Sequence, residues 1–163
     1  MILEINKGEK MIKEILTYEK NKDILTRKSE EVKEINNDIR ELVQDLKDTL
    51  KAHPTGVGIS AIQIGVPKQV CIIKYNRQMY TLINPQITRK SGTTLFTEGC
   101  LSAPGKRKKV SRANKVWCNF LDENGNQKTL ADGGLCSIII QHELDHFNGW
   151  CEVFTEYDNE ENE

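Results

Sequence analysis

The sequence predicts an α+β fold in which antiparallel β-sheets pack around a central helix, with a second, amphipathic helix near the N-terminus. Three observations carry this. In the apolar run Leu135 to Phe147, residues Leu135, Ile138, Ile139, His142 and His146 recur at helical spacing, while Ile140, Leu144 and Phe147 form a second stripe. A helix apolar on most of its circumference belongs inside the domain. Ile39, Leu42, Val43, Leu46 and Leu50 mark a helix with a single buried face. Between the two helices, runs of β-branched and aromatic residues follow one another through short turns, which calls for antiparallel pairing.

Each element has its own signals. Residues 1–34 are charged and weakly patterned, with a short helix expected over Lys10 to Glu19 and an extended or turn segment at Asp23 to Thr26. The amphipathic helix takes Asn36 or Asn37 as its N-cap and ends near Ala52, because Pro54 pushes its predecessor out of helical geometry. Gly56 to Gly65 is too rich in glycine and too poor in charge for an ordinary surface loop, and reads either as a tight turn entering a strand or as backbone that something approaches closely. Strands are expected at Val70 to Tyr75, Met79 to Asn84 and Gln86 to Lys90, with turns at Asn76-Arg77 and Ser91-Gly92. A further hairpin runs from Lys115 to Leu121 and from Lys128 to Ala131 around Asn124-Gly125. The central helix spans about residues 134–148, between Gly133-Gly134 and Asn148-Gly149.

At 163 residues and 37% hydrophobic content the chain makes one domain, expected over residues 1–154, followed by an acidic tail at 155–163 expected to lack structure. A net charge of −1 implies no general attraction to nucleic acid or to an anionic membrane. No apolar run approaches a membrane span and Met1 to Lys7 has no signal-peptide core, so a cytoplasmic location is expected. Five cysteines at irregular spacing argue for reduced thiols rather than a disulfide framework.

The chemistry concentrates in Gln141-His142-Glu143-Leu144-Asp145-His146. Two of the three histidines lie four apart, one helical turn, so both rings can reach one divalent ion, and Glu143 sits beside the first. This makes the central helix a metal-binding one. Two imidazoles leave a catalytic metal needing a third protein ligand. Cys100, in Thr97 to Gly105, is the candidate, and a downstream Glu or His is the alternative. Cys71 and Cys118 lie in strands as small buried hydrophobes, Cys136 is two turns from His142, and Cys151 follows the helix break. Gln63 is either a satisfied core amide or points into a site. Asp145 is expected to pair with a basic residue such as Arg112. Lys106 to Lys109 reads as a solvated basic loop, with contact to substrate carbonyls through Arg107, or to ribosomal RNA, as the alternative.

Taken together, Gly56-Val57-Gly58-Ile59-Ser60-Ala61-Ile62-Gln63, Glu98-Gly99-Cys100-Leu101-Ser102 and Gln141 to His146 resemble, in order and spacing, the three signature motifs of the peptide deformylases. The resemblance extends from about Ile15 to Phe154. It implies a cytoplasmic metallohydrolase that removes the N-formyl group from the formylmethionine of new polypeptides, with N-formylmethionyl peptides and nascent chains as partners. It implies one divalent ion on Cys100, His142 and His146, natively iron(II), with zinc, nickel or cobalt able to take the same site. Glu143 would be the acid–base residue, with Gln63 and the Leu101 N–H stabilising the oxyanion. Gly58, Phe96, Leu135, Ile138 and Ile139 would contact substrate. The first motif usually reads Gly-x-Gly-Leu-Ala-Ala-x-Gln, so Ile59 and Ser60 are departures, and a buried Ser60 hydroxyl needs a partner. The basic C-terminal helix that many members use for ribosome docking has no counterpart, so ribosome contact is left open. Two other functions fit the helix alone: a zinc endopeptidase and a metal-binding domain without turnover.

Overall fold

The structure, a computed structural model, describes residues 10–163. The expectation of no signal-peptide core at Met1 to Lys7, and the first residues of the expected domain, lie outside the described residues.

Helices α1 (Tyr18–Leu25) and α2 (Asn37–Lys51) precede seven strands: β1 (Gly58–Ser60), β2 (Val70–Tyr75), β3 (Gln78–Ser91), β4 (Thr94–Cys100), β5 (Ala103–Arg112), β6 (Lys115–Leu121) and β7 (Gln127–Gly133). Helices α3 (Gly134–Phe147) and α4 (Thr155–Glu160) close the chain. The strands form a five-stranded antiparallel sheet in the order β1-β2-β3-β6-β7 and a separate β4-β5 hairpin. The class is α+β, as the sequence predicts.

Strand β2 explains how the two expected helices find their places. Its side chains alternate between faces. Val70 and Ile72 pack with Ile39, Leu42, Val43, Leu46 and Leu50 of α2, whereas Cys71 and Ile73 pack with Cys136, Ile139 and Ile140 of α3. The sheet is therefore covered by one helix on each face, and β2 needs apolar residues on both. The Asn36 side chain accepts from the Ile39 N–H at 3.1 Å, a cap contributing about 1 kcal/mol to α2. The β2-β3 turn places Asn76 and Arg77 at φ 50° and 61°, the left-handed pair that a two-residue hairpin requires.

Five expectations need correction. Residues 10–17 form no helix; they run as a strap in which Lys13 N–H donates to Thr49 Oγ1 and Leu16 N–H to the Gln63 carbonyl. The helix is instead α1, which includes Asp23 to Leu25. Strand β3 is one strand rather than two, bent at Asn84-Pro85, where Asn84 takes φ 50° and its amide bonds both backbone groups of Val32. Lys106 to Lys109 is no loop but part of β5. Lys106 and Lys108 pair with Glu160 and Glu152, while the alternate residues Arg107 and Lys109 are exposed. Those ion pairs also explain the acidic tail, which forms α4: Lys106 holds Glu160, and Asp158 accepts from Lys22 and Tyr18. The domain thus continues past Phe154.

Candidate metal centre and active site

Helix α3 brings His142 and His146 to the point where the β4-β5 turn delivers Cys100. The pairing of β4 with β5 shifts register between Glu98 and Cys100, and this irregularity turns Cys100 toward the helix. Its Sγ lies 3.5 Å from His146 Nε2. A fourth donor joins from beyond the helix: Cys151 Sγ lies 4.0 Å from His142 Nε2. The ligand atoms of Cys100, His142, His146 and Cys151 all lie within 4.8 Å of one another. A set of two thiols and two imidazoles at this spacing suits zinc, iron or another borderline transition metal rather than a hard cation. His53 lies elsewhere, its Nδ1 within 2.9 Å of the Thr49 carbonyl.

The His142 ring is fixed by a buried charged network. Its Nδ1–H donates to Glu98 Oε1 at 2.8 Å, leaving Nε2 free to face the thiols. Glu98 also receives two bonds from the Arg112 guanidinium, at 2.7 and 2.8 Å, and Arg112 reaches Asp145 Oδ2 at 2.6 Å. The Asp145–Arg112 pair is the one the sequence suggests. Burial opposes ionisation of Glu98, but the bonds from Arg112 and His142 outweigh it and bring its pKa down to about 2. The His146 Nδ1 is buried with no partner among the described residues.

Glu143 lies against the first motif. Its Oε2 accepts from Ser60 Oγ at 2.8 Å, so the hydroxyl that departs from the usual motif has found its partner on the acid–base candidate. Burial, only partly offset by His142 and Ser60, raises the Glu143 pKa to about 7. Gly58 has a role here that its sequence position alone does not reveal. A Cβ at Gly58 would stand 2.6 Å from Glu143 Oε1, so the missing side chain makes room for the carboxylate.

Gln63 is held as a fixed amide. Its Oε1 accepts from Ser60 N–H at 2.9 Å, and its Nε2 donates to Ser102 Oγ at 3.1 Å and lies 3.7 Å from Cys100 Sγ. Leu101 follows in the β4-β5 turn. Leu135, Ile138 and His142 share one helix face by their spacing. Leu135 is 44% exposed and Phe96 on β4 is 40% exposed, whereas Ile139 packs beneath the sheet in the α3 core. A cavity of about 500 Å³ beside Leu135, lined also by Lys51, Tyr75, Arg77 and Met79, contains none of the metal donors. Arg107 is exposed on β5 and is not among those donors.

The two thiols of the cluster behave as a pair. Contact with Cys100 and His142 lowers the Cys151 pKa despite burial. The same contact and burial hold Cys100 up. Sequence reasoning did not find Glu98 or Cys151 as parts of the site. Glu98 stands in the second motif, where its carboxylate is a detectable signal, but the spacing of Cys151 matches no metal motif.

Residues 12–160 match the family model described as polypeptide deformylase. The chain belongs to this family. It is 41% identical over 127 residues to the peptide deformylase of Syntrophomonas wolfei, covering 78% of this chain and 83% of that protein. It is 36% identical over 137 residues to peptide deformylase 2 of Clostridium acetobutylicum, covering 83% and 91%. Among solved structures it superposes with a TM-score of 0.81 and 30% identity on a peptide deformylase from Synechococcus elongatus in complex with actinonin, covering 93% of this chain and 83% of that one. The deformylase assignment displaces the zinc-endopeptidase and non-catalytic readings. No helix among the described residues is long and apolar enough to cross a membrane.

Proposed function

We propose that the chain removes the formyl group from N-formylmethionyl peptides and nascent chains, using a divalent ion held by Cys100, His142 and His146. The observation that carries the reading is the convergence of thiol and imidazole donors within 4.8 Å, with Glu143 next to His142 in the chain. Three protein donors leave a catalytic ion a further position for water. When bound, such an ion supplies Lewis acidity and brings water close to ionisation at neutral pH. Iron(II) is the proposed native ion, with zinc, nickel or cobalt accepted by the same donors.

Glu143 moves the proton. Ser60 steadies Oε2, Gly58 leaves space at Oε1, and a pKa of about 7 suits a group that must first accept a proton from water and then give it to the departing amine. Gln63 Nε2, on an amide held by Ser60 and Ser102, and the Leu101 N–H are the proposed donors to the oxygen that gains charge as the formyl carbon is attacked. The resemblance assigns Leu135, Ile138 and Phe96 to the methionine side chain, and the exposure of Leu135 and Phe96 leaves both able to meet it. Gly58 and Ile139 are assigned to substrate contact by the resemblance, Ile139 from within the core, and Arg107, exposed on β5, is free to reach substrate carbonyls. The site requires no nucleic acid or membrane, and a cytoplasmic location fits this substrate. Among the described residues the last helix, α4, is acidic, with Glu156 and Asp158 in its first turn.

The decisive experiment is Glu143→Gln, with deformylation of formyl-Met-Ala-Ser, metal content and peptide affinity measured on one anaerobic preparation. Metal and peptide binding should persist while kcat falls by about 10²–10⁴. Near-full turnover with metal in place would remove Glu143 from the mechanism. The metal recovered from the same preparation decides between iron(II) and the other ions.

A further inference from the structure

Of the five cysteines, three are accounted for by packing or left as ordinary core groups. Cys71, Cys118 and Cys136 lie together in the core between α3 and the sheet, where burial pushes the thiols of Cys118 and Cys136 up to about 11. Such buried thiols act as small hydrophobes. Cys100 belongs to the second motif. Cys151 belongs to no motif, is 1% exposed, and still presents its sulfur to the nitrogen of His142 that Glu98 leaves free.

We propose that Cys151 is a fourth protein ligand, so that the resting metal centre is a closed set of two thiolates and two imidazoles rather than an open set of three donors. The proposal rests on the reading that the cluster holds a divalent ion. With metal–sulfur distances near 2.3 Å and metal–nitrogen distances near 2.0–2.1 Å, a tetrahedral sulfur-to-nitrogen edge is about 3.6 Å. All the donor atoms lie within 4.8 Å of one another, and two of the four sulfur-to-nitrogen edges are 3.5 Å, for Cys100 with His146, and 4.0 Å, for Cys151 with His142. One lies at the tetrahedral value and the other needs only a small inward movement. Glu143, the nearest carboxylate in sequence, is not among these donors, and its Oε2 accepts from Ser60.

The position of Cys151 is built, not incidental. Gly149 takes φ 72°, and a Cβ there would stand 2.2 Å from the Thr26 carbonyl oxygen, so the chain leaves α3 along one path. Two residues on, Cys151 is extended at φ −154° and ψ 129°, and Val153 and Phe154 anchor the following 3-10 turn in the core formed with Tyr18, Leu25 and Ala103. The thiol is thus held from both sides with its sulfur on the metal donors. A closed set differs functionally from an open one: the place where a catalytic ion keeps water is taken by protein in the resting state. The water-bearing form is then the one in which Cys151 is off the metal.

The test uses the full chain loaded with cobalt(II), and separately with zinc, under anaerobic reducing conditions. X-ray absorption should count two sulfur scatterers in the parent protein and one in Cys151→Ala, and the sulfur-to-cobalt charge-transfer absorption should be halved by the substitution. Cys151→Ser, which keeps the side-chain size, guards against misfolding of the alanine variant and should also show one sulfur. One sulfur in the parent protein overturns the proposal, and its retention in Cys151→Ala leaves Cys100 as the ligand. No sulfur, or no stoichiometric metal, overturns the metal assignment itself and the proposal with it.

Discussion

At Gly58 a single absent carbon governs where the acid–base residue can stand. With Glu143 Oε1 2.6 Å from the position of a Cβ, Gly58→Ala must displace either the strand or the carboxylate, and the carboxylate is also tied to Ser60. Such overpacking costs about 1–3 kcal/mol. The expected outcome is a lower denaturation midpoint together with a lower kcat at full metal content; an unchanged kcat would show that Glu143 tolerates a second position. Gln63 offers the complementary case, because its effect is on charge rather than space. Gln63→Leu removes the Nε2 donor and should lower kcat by about 10²–10³ with metal retained. It also removes the acceptor of the Ser60 N–H, so circular dichroism and metal content must accompany the kinetics. A variant that folds, binds metal and turns over normally would return Gln63 to the role of a core amide.

At the scale of elements, the connection between α3 and α4 does more than end the helix. Gly149 is in left-handed geometry with the Thr26 carbonyl directly against it, so Gly149→Ala combines backbone strain with a steric clash. The expected loss is about 2–4 kcal/mol, read as a drop in the midpoint of urea unfolding. A midpoint within error of the parent would mean that this connection rearranges freely. The same connection shows where the sequence was readable. Helices α2 and α3 were legible almost to the residue, because their periodicity, the Asn36 cap and the flanking glycines all agree. His142, His146 and Glu143 were legible for the same reason, since four-residue spacing on a helix fixes geometry locally. Strand β5 was not, because four consecutive cations mask the alternation that appears only once Glu152 and Glu160 arrive beside Lys108 and Lys106. Helix α4 was hidden by the same long-range pairing. Cys151 and the Glu98–Arg112 contact depend on chain segments brought together by the fold, which no local pattern records.

For the molecule as a whole, the buried Glu98–Arg112–His142 network ties the β4-β5 hairpin to α3, so its protonation should be felt in global stability. Glu98 has its pKa lowered from an ordinary 4.5 to about 2. A carboxylate depressed in the folded state contributes stability that is fully present above its unfolded value and is lost as the pH falls through the folded one. The window for this loss is therefore pH 4.5 down to about 2. Asp145, on the same guanidinium, shifts upward because burial outweighs Arg112, so it does not produce the effect. The measurement is the urea midpoint of metal-free protein as a function of pH, because bound metal would add its own proton linkage. The parent protein should lose stability across that window. Glu98→Gln should be less stable at pH 7, since it leaves Arg112 buried with one carboxylate fewer, and its midpoint should fall less between pH 4.5 and 2. An equal fall in both proteins would assign acid unfolding to surface carboxylates and leave Glu98 with only the task of orienting His142.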